Sequence, residues 1–376
     1  MARRVFGRNN MKHAIRIAAA GAAVALAPMI AEAKTLTYGT YLSARHATNV
    51  ASVIPWMRAV EKDTGGSLTF ELAADGTLVS GRDSLQGIRD GLIDMSTIVD
   101  FYTPNDLKTS TILTELAMLG SDAAVMTAAI NEMQLLNCPS CLKEGEDNNL
   151  KIMAVYASSP YHLICNKPFE TLESLKGARI RATGAWAVFA TSIGATPVNI
   201  TSGEQYEALQ RGQVDCTLIN VPALTNYSLY EVAKYVVDLP IGTFHGAHVF
   251  NLNSSVWEGL SDEEKKAFIG NIPQAMANLT EGAIAEDAHA RKVATDAGVV
   301  FAEPDPALVK ALETFKHDEL KRIGELAGSR GVEEPEALFA KFQELITKWD
   351  GVMTQTGDDW SKYATALKTE IYDKID

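Results

Sequence analysis

The chain has 376 residues, 47% hydrophobic and 22% charged, with a formal net charge of -13 and a pI of about 5.1. That length suits two domains around sizeable cores, and the composition excludes a disordered chain, a collagen-like fibre and a polytopic membrane protein. The acidic balance argues against nucleic acid or an anionic membrane as a broad-surface partner, but not against one buried arginine capturing a small anion.

In chain order, Arg3, Arg4, Arg8, Lys12 and Arg16 form a basic head, and Ile17 to Ala31 carries no charge. Ala31-Glu32-Ala33 then supplies a small-x-small cleavage site. This three-part pattern predicts a secretory signal over 1–33, too short in its apolar run to span a bilayer, with Lys34 as the first mature residue and Met11 as an alternative start. Its removal takes away five positive charges and one negative, leaving about -17. The predicted location is the periplasm of a Gram-negative bacterium.

Thr35 to Tyr41 reads as a strand, Ala51 to Lys62 as a helix ended by Gly65-Gly66, Ser67 to Leu72 as a strand, Asp83 to Asp90 as a short helix and Ile93 to Val99 as a strand. Such alternation predicts α/β architecture with mainly parallel strands. An internal echo supports two similar lobes. The run from Ser84 to Asp94 and the run from Tyr206 to Asp215 share one plan: a helix, a glycine stop (Gly91, Gly212), then a strand led by aspartate (Asp94, Asp215). Pro222 to Lys234 reads as a helix and Ala247 to Leu252 as a strand. Ser261-Asp262-Glu263-Glu264 is a capping box that opens a helix reaching about Ala297, bent or split at Pro273. From Pro306 onward the chain reads as charged helices that wrap a lobe.

The four cysteines are Cys138, Cys141, Cys165 and Cys216. In an exported chain Cys138-Pro139-Ser140-Cys141 is expected to form a local disulfide, since no second cysteine pair or histidine pair completes a metal site. Cys165 and Cys216 lie in apolar strand-like runs and read as buried. Four cysteines allow three pairings, and spacing does not choose among them.

No nucleophile elbow, Walker loop, Rossmann fingerprint or HExxH pair occurs, so no catalytic residue, cofactor or metal is predicted. Leu175 to Gly184 stands out: a strand containing Arg179-Ile180-Arg181 runs into Thr183-Gly184 and a helix. Strand C-terminal ends in open α/β sheets face the ligand crevice, and a guanidinium fork matches a carboxylate. Arg181 is therefore the candidate anion anchor, with an exposed arginine or a structural ion pair as the alternative.

Three ordered motifs carry a family resemblance. Lys176-Gly177-Ala178-Arg179-Ile180-Arg181, Glu204-Gln205-Tyr206-Glu207-Ala208-Leu209-Gln210 with Gly212-Gln213-Val214-Asp215, and Tyr230-Glu231-Val232-Ala233-Lys234-Tyr235 resemble the extracytoplasmic receptors of tripartite ATP-independent periplasmic (TRAP) transporters. The resemblance spans about Lys34 to Ala297. It implies a periplasmic-binding-protein-like fold: lobe I from 34–158 plus 246–285, lobe II from 159–245 plus 286–376, crossing strands, a lobe-spanning helix and a helical C-terminal extension. It also implies a receptor, not an enzyme, that closes on a small organic anion, a carboxylate or sulfonate, and presents it to membrane permease subunits, as a monomer. A ligand sensor for a signalling partner, or a receptor for an amine- or hydroxyl-bearing zwitterionic acid, is the alternative.

Arg181 falls on the arginine that pairs with substrate carboxylate in that family. Tyr161, Asn220, Trp186, Phe101 and Tyr41 are the other expected cleft residues, followed by Asp100 and Phe244. Tyr161 stands where sialic-acid receptors carry a second arginine, Ser202 lies near the position of their aromatic shelf, and Cys216 to Asn220 lacks the family's acidic contact. Sialic acid and a metal-assisted keto acid are therefore not expected.

Overall fold

The computed structural model describes residues 33–169 and 171–375. The predicted secretory signal lies outside the described residues, apart from Ala33.

Among the described residues twelve strands form two six-stranded sheets. They are β1 (Lys34–Gly39), β2 (Leu68–Ala73), β3 (Met95–Val99), β4 (Leu150–Lys151), β5 (Ala154–Tyr156), β6 (Tyr161–Cys165), β7 (Arg179–Arg181), β8 (Thr196–Val198), β9 (Cys216–Asn220), β10 (Tyr235–Val237), β11 (Ala247–Asn253) and β12 (Val300–Ala302). The first sheet has the order β2-β1-β3-β11-β4, with β5 also on β11; the second is β12-β10-β6-β9-β7-β8. The helix-connected strands pair in parallel: β1 with β2 and β3, β7 with β8 and β9. The chain changes sheet directly between β5 and β6 and between β10 and β11, and again through helices between β11 and β12. Around the direct crossings the pairing is antiparallel, in β11 with β3, β4 and β5 and in β6 with β9 and β10. Sheets are thus mixed rather than mainly parallel, because a strand that crosses directly has no helical return to restore its direction.

The internal echo has a physical basis. In each half the helix ends at a glycine with positive φ, Gly91 at 72° and Gly212 at 63°. The following aspartate grips the neighbouring strand twice. The Asp94 N–H donates to the Thr37 carbonyl at 3.0 Å and its carboxylate accepts from the Thr37 N–H at 2.7 Å. Asp215 does the same to Arg179, at 2.7 and 2.9 Å. Each carboxylate starts its strand in register.

Two cores follow from the two sheets. One gathers Leu36, Tyr38, Trp56, Ile98 and Phe250, the other Leu163, Ile180, Trp186, Phe189 and Leu218. Helix Ile272–Asp296 bridges them: Ile272 and Met276 belong to the first core, Ala290 and Ala294 to the second. Pro273 sits in its first turn, where it lacks no needed N–H, and the expected helix is split there from Asp262–Gly270. The expected helix over 222–234 is instead Ala223–Asn226 followed by a single turn at Leu229–Glu231, interrupted by Ser228 at φ 55°.

The C-terminal extension corrects the assignment of 286–376 to the second lobe. Helix Pro306–Arg330 begins on the second core with Leu308 and Leu312 and ends on the first with Ile323 and Ala327. At 25 residues it is about 37 Å long, enough to reach both. Helices Pro335–Thr356 and Trp360–Glu370 then pack on the first core through Phe342, Trp349, Tyr363 and Leu367. The cause lies in helix Ala123–Leu136, which is buried at every position but its last and so needs cover on both sides. Tyr363 donates to the Ala124 carbonyl at 2.7 Å and the Trp349 indole to Glu132 at 2.7 Å.

Both disulfides are intramolecular. Cys138 joins Cys141, as expected, at the N-terminus of helix Pro139–Asp147. Cys165 joins Cys216, a pairing that spacing alone does not choose. They are register partners on β6 and β9, so the pairing follows from the strand alignment. Among the described residues no helix is long and apolar enough to cross a membrane.

Candidate functional site

Arg181 is the last residue of β7 and lies opposite Thr217, near the start of the parallel strand β9. Its side chain is only 3% exposed. Nε donates to the Ile200 carbonyl at 3.0 Å, one terminal nitrogen to the Leu218 carbonyl and the other to the Tyr102 hydroxyl, both at 3.4 Å. Ile200 and Leu218 belong to the second lobe; Tyr102 follows β3 in the first. A guanidinium has five N–H groups. Three are used here, which leaves one on each terminal nitrogen as a fork. No carboxylate lies within ion-pair distance of Arg181 among the described residues, whereas its neighbour Arg179 is fully paired with Asp215. Two residues apart, both arginines share one face of β7; Arg179 stands at its exposed start beside Asp215, whereas Arg181 at its end is covered by Ile200, Leu218 and Tyr102.

The fork borders a cavity of about 90 Å³ lined from both lobes. Tyr41, Tyr102, Tyr156 and Ala247 come from the first sheet's strand ends, and Tyr161, Thr183, Ser202, Asn220 and Tyr227 from the second lobe. The bridging helix adds Leu279, Ala283 and Glu286. Burial raises the Tyr161 and Tyr156 phenols above their usual range, so both stay neutral hydroxyls at neutral pH. The surface is therefore a flat aromatic enclosure with hydroxyl and amide groups and one free cationic fork.

Of the expected cleft residues, Arg181, Tyr161, Asn220, Tyr41 and Phe244 line this cavity. Trp186, Phe101 and Asp100 do not. Trp186 is wholly buried behind Tyr161, stacked on it with ring centroids 4.3 Å apart, and its indole donates to the Ile241 carbonyl at 2.5 Å. Phe101 crosses from the first lobe to cover Gly184, where a Cβ would stand 2.2 Å from its ring. Gly184 also has φ 51°, so this turn between β7 and helix Gly184–Ser192 requires glycine twice over. Asp100 turns away into the protein and accepts from Thr114 at 2.5 Å; burial raises its carboxyl above the usual range. A Cβ on Gly246 would lie 2.4 Å from Asp100, which ties this carboxyl to the second crossing segment rather than to the cavity.

Tyr102, Tyr156, Tyr227, His46 and Glu286 were not anticipated. Tyr102 lies one residue beyond Phe101 in the single turn Asp100–Tyr102, where neighbouring side chains diverge sharply. Tyr227 lies where a continuous helix was expected. Tyr102 is also the clasp between lobes: its hydroxyl accepts from Arg181 and from the Ser202 N–H at 2.8 Å. Among the described residues no group of acidic, histidine or cysteine side chains is arranged to hold a metal ion.

A family model for bacterial extracellular solute-binding proteins, family 7, matches residues 38–323. The outer membrane transporter protein TsaT of Comamonas testosteroni is 23% identical over 323 residues, covering 84% of this chain and 94% of the relative. A solved marine-metagenome TRAP solute-binding protein specific for aromatic acids, in complex with metahydroxyphenylacetate, is 22% identical. It superposes with a TM-score of 0.75 over 84% of this chain and 99% of its own. The Bordetella bronchiseptica TRAP periplasmic solute-binding protein with bound mandelate is 22% identical, with a TM-score of 0.71 over 84% of this chain and 99% of its own. At such identities the likeness establishes a shared fold.

Proposed function

The chain belongs to family 7 of the bacterial extracellular solute-binding proteins, and from that premise we propose that it captures a small organic anion between its lobes and delivers it to a TRAP membrane permease. In this reading the predicted signal over 1–33 directs export to the periplasm, and the carboxylate or sulfonate of the ligand seats on Arg181. Tyr161, Asn220, Tyr41, Phe244, Tyr102 and Ser202 enclose it. The observation that carries the proposal is the buried, carboxylate-free Arg181 fork opening into a cavity walled by both lobes. The acids named for the mandelate and aromatic-acid relatives support the ligand class.

Recognition follows from charge and enclosure. A buried guanidinium without a counter-ion is costly, and an anion placed on the fork removes that cost while forming charge-assisted hydrogen bonds. Contacts made only when both lobes touch the ligand favour the closed arrangement, which is the form a permease would read. The test is a thermal-shift screen of the mature chain against small carboxylates and sulfonates, followed by calorimetry. At least one such acid should raise the melting temperature. A chain that responds to no organic anion, or only to neutral sugars or amines, contradicts the proposal.

A further inference from the structure

Beyond Arg181 the cavity wall carries further polar groups. A continuous series of contacts leads there: Arg181 to the Tyr102 hydroxyl, Tyr102 to Ser202, and the Tyr227 hydroxyl to Ser202 at 3.2 Å. The Tyr227 ring then lies 5.6 Å from the His46 ring, and the adjoining turn bears Thr225, whose hydroxyl donates to Glu286 at 2.6 Å. His46 and Glu286 both line the cavity.

The state of His46 is fixed by its surroundings. The Thr48 N–H donates to Nδ1 at 3.2 Å, so Nδ1 is the acceptor and the proton resides on Nε2. Nε2–H has no protein acceptor among the described residues, and burial lowers the ring to about 4, which keeps it neutral. Glu286 uses one carboxylate oxygen on Thr225 and has no cation within ion-pair distance among the described residues. This part of the wall therefore offers one fixed N–H donor and one carboxylate oxygen.

We propose that His46 and Glu286 select the ligand's second group, and that this group is a hydroxyl on a monocarboxylic acid. The inference rests on the receptor reading above. A hydroxyl is both acceptor and donor, so it accepts from His46 Nε2–H and donates to Glu286. An ammonium offers no acceptor to His46. A second carboxylate meets half-buried Glu286 as a like charge. A methyl or hydrogen leaves both protein groups unpaired, which is where discrimination by a built hydrogen-bonding site is strongest.

The test is calorimetry of the mature chain with three matched pairs: benzoate and 3-hydroxybenzoate, phenylacetate and 3-hydroxyphenylacetate, butyrate and 4-hydroxybutyrate. Isophthalate and 3-(aminomethyl)benzoate place a carboxylate and an ammonium in the position of the hydroxyl. The hydroxylated member of the pair that fits should bind roughly tenfold tighter or more than its parent, and tighter than the dicarboxylate or the ammonium acid. That ratio should fall to threefold or less in His46→Ala and in Glu286→Ala, and recover in part in His46→Gln, which restores an N–H donor. Arg181→Ala should weaken parent and hydroxylated acid alike. Parent and hydroxy acid binding equally to the wild type, or a preference that survives both alanine variants, overturns the hydroxyl assignment while leaving the receptor reading intact. Binding by none of these acids also overturns the hydroxyl assignment, and the receptor reading falls only if the wider screen of carboxylates and sulfonates fails as well.

Discussion

Arg181 and Arg179 sit two residues apart on one short strand, yet one is spent on Asp215 and the other is held free. The place of Arg181 at the C-terminal end of its strand is legible in the sequence; its hydrogen-bond partners are not, because they come from Ile200, Leu218 and Tyr102, far along the chain. Trp186 shows the opposite outcome. Its position after the Thr183-Gly184 turn suits a cleft residue as well as a core one, and only the stacking of Tyr161 against it decides for the core. Trp186→Ala should accordingly lower stability by roughly 3–5 kcal/mol in denaturant unfolding, as a large core truncation does, rather than act as a pure affinity mutant. Histidine burial gives a second expectation at this scale. His248 is fully buried with neither ring nitrogen bonded, and burial lowers it, like His46, to about 4. The unfolded chain, near 6.5, then binds more protons than the folded one between about pH 6.5 and 4. Stability contributed by the neutral ring is present above that window and is lost as the pH falls through it, by about 3 kcal/mol per histidine. The buried Asp100 carboxyl, raised by burial, works in the opposite sense. The discriminating measurement is thus a difference: unfolding free energy between pH 7 and 4.5 should fall less steeply in His248→Gln than in the wild type.

Helices and strands were read to within a few residues where a local signal existed. The capping box at Ser261, the glycine stops at Gly91 and Gly212 and the proline at Pro273 each act within one turn of chain, and each works as the sequence suggests. The failures lie where packing overrules local preference. The segment 222–234 has helical composition but breaks at Ser228, because the polypeptide must bring Tyr227 to the cavity and then start β10. The Cys165–Cys216 bond was invisible for a related reason: it depends on the register of β6 against β9. Since it closes a loop of about 50 residues, its entropic contribution is about 4 kcal/mol by chain-closure reasoning. Replacing both cysteines by serine should lower the denaturation midpoint far more than the same change at Cys138 and Cys141, whose loop is very short. Equal effects from the two pairs would show that the strand staple contributes nothing beyond local packing.

For the whole molecule, two lobes could be inferred from the echo at Asp94 and Asp215, but the destination of the last seventy residues could not. Their helices are amphipathic, and amphipathicity does not say which surface will be covered. The answer lies with helix Ala123–Leu136, whose apolar faces demand a second layer that Phe342, Trp349, Tyr363 and Leu367 supply. A chain truncated after Asp305 should therefore expose that layer. It is expected to lose cooperative unfolding or aggregate, detected by calorimetry and light scattering, even though the cavity residues are all retained. The same extension, through helix Pro306–Arg330, ties both cores together beside the bridging helix Ile272–Asp296.

The account stands on the Arg181 fork as the seat of the ligand's negative charge, and calorimetry of an acid found by screening tests it most directly, with wild type, Arg181→Lys and Arg181→Ala compared at matched folding. Loss of a desolvated, charge-assisted pair corresponds to about 2–5 kcal/mol, so Arg181→Ala should weaken binding by at least roughly thirtyfold. Arg181→Lys should fall between, because it keeps the charge and loses the fork. An Arg181→Ala chain that still folds and binds the acid with wild-type affinity would contradict the account.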